Sequence, residues 1–126
     1  MSMTNPLARA RGHGSAKSGV HHWLAQRVTA VFLVFLAGWL AYAVLALAGA
    51  DFATARAFVA RPFNAALLVL LVISMFYHAM LGLQVVIEDY VHRPAAAITL
   101  HFLVRAGAWL GMALAVVNIL IIALGA

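Results

Sequence analysis

Ser74, His78 and Gly82 follow one another at four-residue spacing inside an uncharged run of about 25 residues, Phe63 to Ile87, long enough to cross a bilayer as a helix. On a helix that spacing lines the three along one face. An imidazole at such depth is costly, so it marks a functional site by default. Two chemistries fit it. Histidine is an axial ligand of haem iron, and a glycine one turn away removes the side chain that would block a flat macrocycle beside the helix. Alternatively, a neutral His78 hydrogen-bonds to a neighbouring helix, and Gly82 serves close packing. The spacing alone does not separate the two.

At the end of the same run stands Glu88-Asp-Tyr-Val-His-Arg-Pro94. Two acids followed by tyrosine at a membrane edge offer protons and hydrogen bonds to a ligand that arrives through the lipid. A quinone suits them, with its lipid-soluble tail and hydrogen-bond-accepting carbonyl oxygens. Tyr90 could donate to such an oxygen, and Asp89 could orient a donor or relay protons. The competing reading is a solvated turn with an aromatic anchor, and for Glu88, His92 and Arg93 that reading is preferred.

His78 lies ten residues in from Glu88, about 15 Å deep at 1.5 Å per residue. His21 and His22 precede the first apolar run, His92 lies in a connection, and His101 opens the last helix. None matches that depth, so a haem bound by His78 takes its second ligand from another subunit or a second copy.

The elements that must hold these residues are membrane spans. Of the 126 residues, 67% are hydrophobic and 9% charged, too apolar a surface for a soluble domain of this size. The expected fold is all-α, with three transmembrane helices preceded by a polar, partly ordered amino-terminal segment at 1–27. The spans are expected at about 28–49, 63–87 and 106–126, each about 20 residues or more. The Ala-Leu-Ala-Gly-Ala run that closes the first is like a signal-peptidase site, but about 22 apolar residues exceed a secretory core, so the span is read as retained. Gly38 with Ala30, Ala37 and Ala41, and Gly107 with Gly111, supply small positions where helices can approach. Asn118 is expected to bond across to a neighbouring helix. Phe52 and Phe58 among small residues suggest a short interfacial helix, followed by Pro62 at a helix start.

Cysteine is absent, which excludes disulfides and thiolate-held clusters within this chain. The net charge of +5 reads as topology and lipid contact rather than nucleic-acid binding. Six basic residues (Arg9, Arg11, Lys17, Arg27, Arg93, Arg105) flank one side of the spans and two (Arg56, Arg61) the other. The amino terminus and the Tyr90 connection are therefore expected inside, and the carboxyl terminus outside.

A further cluster precedes the first span: His21, His22, Trp23, Gln26 and Arg27. His22, Gln26 and, one position on, Arg27 fall on about one helical face. By spacing alone this is a helix entering the membrane, with an aromatic and an arginine anchor at the interface.

The stretches SGVHHWLAQRVTA (Ser18 to Ala30) and HAMLGLQVVIEDYV (His78 to Val91), on a three-span chain, resemble the smaller hydrophobic anchor subunits of succinate dehydrogenase, respiratory complex II. The resemblance implies that His78 is the axial ligand to the iron of haem b, and that the second ligand comes from another hydrophobic cytochrome b subunit. It also implies that Tyr90 hydrogen-bonds ubiquinone with Asp89 beside it, and that His21 and Arg27 lie near the haem propionates. His22 departs from the pattern, since some relatives carry an acid there, and receives no role. The implied partners are a flavoprotein that oxidises succinate and an iron–sulfur protein that passes electrons to quinone. Neither activity resides in this chain. The implied location is a bacterial cytoplasmic membrane, with the mitochondrial inner membrane as the alternative. The reading from another class is a haem-free structural or proton-relay subunit of a different membrane complex.

Overall fold

The structure, a computed structural model, describes residues 17–125, and these are all-helical. Residues 1–16 of the polar amino-terminal segment, with Arg9 and Arg11, lie outside the described residues. Helix α1 is Lys17–Ala46, α2 Phe52–Ala60, α3 Pro62–Tyr90 and α4 Pro94–Leu124.

Proline sets two of the boundaries. Arg61 (φ −63°, ψ 128°) closes α2 and opens α3, because the ring of Pro62 forces the residue before it into extended backbone. Arg93 (φ −85°, ψ 116°) does the same before Pro94. Each proline then occupies the first turn of its helix, where a missing N–H costs nothing. After α1 the chain turns at Gly49, whose φ of +84° a residue with a Cβ rarely adopts. Asp51 accepts a hydrogen bond from the Thr54 amide at 2.9 Å and caps α2.

Three helices are long and apolar enough to cross a membrane: Gly19–Ala46, Pro62–Tyr90 and Pro94–Leu124. They start before the apolar runs do. Helix α1 begins eleven residues before Val28, and α4 twelve before Ala106. Polarity marks where a helix leaves the hydrocarbon, not where its backbone stops. A helix of 30 residues is about 45 Å long and overshoots a hydrocarbon core of about 30 Å.

Helix α3 is central. Helices α1 and α4 both pack on it, and among the described residues they do not pack on each other. Short α2 lies against α3 and α4. The buried residues follow this order: Asn64, Ala65, Leu71, Leu81 and Ile87 on α3, Leu36 and Ala43 on α1, and none on α4. Lipid tails are as apolar as leucine, so close fit and polar bonds must hold such helices together. Gly111 is one such fit, lying against the Phe76 ring. The Asn64 amide donates to the Phe58 carbonyl at 2.7 Å, and Phe58 stacks on Trp39 of α1 with centroids 6.5 Å apart.

Other small positions do not act as expected. Gly38 and Gly107 have nothing within 4 Å of where a Cβ would lie. Asn118 donates to the Leu114 carbonyl of its own helix at 2.7 Å rather than across to another. A carboxamide one turn along has that carbonyl within reach, and among the described residues Asn118 bonds to no other helix.

Candidate functional site

His78 faces α1. Helices α1 and α3 run antiparallel, with Gln26 beside His78 and, nearer the membrane edge, Gly19 and His22 sharing a cleft with Gln84 and Glu88. The half-buried imidazole is approached on both nitrogens. Thr29 Oγ1 lies 3.0 Å from Nδ1, and Gln26 Nε2 lies 3.3 Å from Nε2. Gln26 also covers Gly82, where a Cβ would stand 3.6 Å from the same amide nitrogen, an ordinary contact. Two atoms in this neighbourhood are buried and without a partner: Gln26 Oε1 and His22 Nε2. His22, Gln26 and Thr29, at intervals of four and three, present one face of α1 to α3.

The other residues singled out from the sequence stand apart from this pair. His21 and Arg27 are exposed, and the Arg27 guanidinium lies over the Trp23 ring, 5.1 Å from its centroid. That geometry is the interfacial anchor expected of an arginine beside a tryptophan. Among the described residues the structure does not bring either to His78. Asp89 and Tyr90 end α3, eleven and twelve residues beyond His78, about 17 Å further along the axis. Both are exposed, Tyr90 to 76%. His92 Nδ1 donates to the Tyr90 carbonyl at 3.2 Å, which folds the connection back on the helix end.

Sequence reasoning passed over Thr29 and Gln84, which the fold brings against His78 and Glu88 respectively. Thr29 was not singled out, although it lies three residues beyond Gln26 on the same face. Glu88 accepts from Gln84 at 2.9 Å, and the two line a second cleft with His101 and Arg105 of α4. The four-residue spacing of His101 and Arg105 puts them on one face of α4, and the fold sets that face beside Glu88. Among the described residues no three histidine or carboxylate side chains converge.

The arrangement has a direct chemical consequence. The His78 imidazole is set at mid-span with a weakly engaged Nε2, beside a glycine that its own neighbours do not require. The carboxyl end of the same helix carries an acid and a phenol at the surface.

The comparisons with known proteins identify the family. The chain matches the family described as succinate dehydrogenase/fumarate reductase transmembrane subunit over residues 1–124. It is 49% identical over 85 residues to a succinate dehydrogenase hydrophobic membrane anchor subunit of Rickettsia bellii, covering 68% of each chain. To the protein of the same name from Rickettsia typhi it is 36% identical over 99 residues, 79% of each. To that of Paracoccus denitrificans it is 32% identical over 126 residues, all of this chain and 97% of the other. No solved structure matches the chain. With three helices able to span a membrane and a match along nearly its whole length, the chain belongs to the succinate dehydrogenase/fumarate reductase transmembrane subunit family, as a hydrophobic membrane anchor subunit of succinate dehydrogenase.

Proposed function

We propose that this anchor supplies one axial ligand to haem b through His78 Nε2 and completes a ubiquinone site with Tyr90 and Asp89. One observation carries the first part: His78 holds Nδ1 against Thr29 and leaves Nε2 with a single long contact, next to a glycine that packing does not demand. A Cβ on residue 82 would fit against Gln26, so close packing within the chain gives no reason for glycine there. The residues fit a haem, provided the Gln26 amide moves aside. Its carbonyl oxygen, buried and unpartnered, does not hold it in place.

A haem b bound there carries one electron at a time. The chain's own residues do the rest. His78 would hold the iron through its Nε2 lone pair, and a second hydrophobic cytochrome b subunit would supply the other ligand, since among the described residues no other histidine lies at that depth. His21 and Arg27, exposed on α1, are free to meet the propionates, whose carboxylates suit a guanidinium fork. Tyr90, at the exposed end of α3, donates its hydroxyl hydrogen to a quinone carbonyl, and Asp89 beside it hands protons on from the aqueous side. The flavoprotein and iron–sulfur subunits, held to the membrane by this anchor, deliver electrons taken from succinate. The charge distribution supports an orientation with the amino terminus and Tyr90 on the cytoplasmic side of a bacterial inner membrane and the carboxyl terminus outside.

A second reading is favoured by the same pair of contacts. With both nitrogens against α1, His78 could be only an interhelical tie in a haem-free subunit. The deciding experiment is a reduced-minus-oxidised absorption spectrum of the purified complex, native and with His78→Ala. A b-type signal lost in the variant while the subunits still co-purify supports ligation. A signal that persists unchanged moves the ligand elsewhere, and no signal in either establishes the tie.

A further inference from the structure

Thr29 holds its hydroxyl in a position that decides where the proton of His78 sits. Its Oγ1 lies 2.8 Å from the Ala25 carbonyl oxygen and 3.1 Å from that of Gln26, both one turn back on α1. A carbonyl oxygen only accepts, so the single hydroxyl hydrogen is committed to these two, as is common for threonine inside a helix. What remains on Oγ1 toward α3 is a lone pair. His78 Nδ1, 3.0 Å away, must then be the donor.

The other side of the ring is consistent with this form. Gln26 presents its amide nitrogen to His78 Nε2 at 3.3 Å, and an amide nitrogen also only donates. An Nε2–H tautomer would set two donors against each other there. Both contacts therefore select the same form: hydrogen on Nδ1, lone pair on Nε2.

We propose that Thr29 is the positioning residue that fixes His78 as its Nδ1–H tautomer and sets the ring angle, so that Nε2 is presented as a ligand for haem iron. The inference rests on the haem reading above and adds to it. A ligating histidine whose second nitrogen donates to a neighbour is fixed in tautomer and orientation and made more basic. Gln26 is the weaker of the two contacts. It is longer, and the Oε1 atom of the same amide is buried without a partner, so this contact yields first when iron takes the lone pair. Thr29 keeps its bond throughout, because the Nδ1 side of the ring is not the one the metal uses.

The test compares purified complexes carrying Thr29→Val, which replaces the hydroxyl by a methyl, and Thr29→Ser, which keeps it. Haem per complex after washing, the midpoint potential of the b-type haem and the low-spin ferric electron paramagnetic resonance signal are read for each. For Thr29→Val we expect roughly tenfold weaker haem retention or more, within the 10–100-fold range of such outer partners. We also expect a higher midpoint potential, because a less basic imidazole stabilises ferric iron less, and a broadened or shifted low-spin signal. Thr29→Ser should fall with the native complex on all three.

If Thr29→Val does not assemble, Thr29→Ala against Thr29→Ser carries the same comparison, since these differ by one oxygen atom. A Thr29→Val complex with native potential and resonance signal overturns the proposal and leaves the haem reading standing, even if assembly falls, because Thr29 is then only a helix tie. Failure of Thr29→Ser to restore the native values overturns it as well. The absence of a b-type signal in the native complex overturns the haem reading itself, a distinct outcome.

Discussion

Gly111 on α4 lies so close to the ring of Phe76 on α3 that a Cβ added to it would stand 2.6 Å from Cε1 and 2.8 Å from Cζ. Four residues away, Gly107 has nothing within 4 Å. The two glycines form one GxxxG spacing, but only one of them sets the distance between helices.

Gly111→Val should therefore separate α4 from α3 and lower the yield of assembled anchor, at a cost of about 1–3 kcal/mol for overpacking. Gly107→Ala should leave the yield unchanged. Phe76→Leu, by shortening the ring that is struck, should restore part of what Gly111→Val loses. Quantitative recovery of the complex after detergent extraction, compared across the variants, checks all of this. Equal loss from Gly107→Ala and Gly111→Val would show that small size along the stripe matters rather than the Phe76 contact.

Asn64 is only 8% exposed, and its amide ties α3 to the Phe58 carbonyl at the end of α2. Asn64→Ala should release that tie at a cost of about 1 kcal/mol and leave the long helices in place. Amide hydrogen exchange localised by mass spectrometry should show faster exchange confined to Phe52–Ala60. Unchanged protection there would mean that the Trp39–Phe58 stack alone holds α2.

Asp51, outside the spans, has a displaced titration. Hydrogen bonds from the Thr54 side chain and amide hold its carboxyl below the ordinary value of 3.8. A lowered value in the folded chain means that the ionised form is preferred there. The cap is thus fully present above pH 3.8 and is lost as pH falls through the lower, folded value. Hydrogen exchange of α2, corrected for intrinsic rates, should be flat from pH 8 to about 5 and rise only below the ordinary carboxylate range. Asp51→Asn, which keeps an accepting oxygen, should abolish that acid-dependent rise.

Tyr90→Phe should slow quinone reduction about fivefold, the value of one hydrogen bond of about 1 kcal/mol, and leave haem content at the native level. The separation of about 17 Å along α3 between His78 and the Asp89–Tyr90 end is the reason the two effects should part. Steady-state quinone reduction by the purified complex, read beside its difference spectrum, measures both. Loss of haem in the Tyr90→Phe complex would contradict separate roles.

Much of this molecule is written in its local sequence. Apolar runs too long for a soluble core dictate helices that can cross a bilayer, since no other open-ended structure satisfies its backbone there. Pro62 and Pro94 set helix starts by fixing one dihedral angle and removing one donor, which is chemistry within a residue or two. The Ser74–His78–Gly82 face and the position of Asp89–Tyr90 at the end of the helix follow from the 3.6-residue period. What the residues alone did not disclose is which face meets which. That Thr29 and Gln26 of α1 lie on His78 requires the antiparallel register of α1 on α3, decided by the fit of whole helix surfaces rather than by any one spacing. The packing of α4 on α3 separates Gly111 from Gly107 in the same way, and the exposure of Asn118 turns it back on its own helix. In a bilayer, where burial does not drive helices together, such contacts are few and specific, so only the assembled fold could select them.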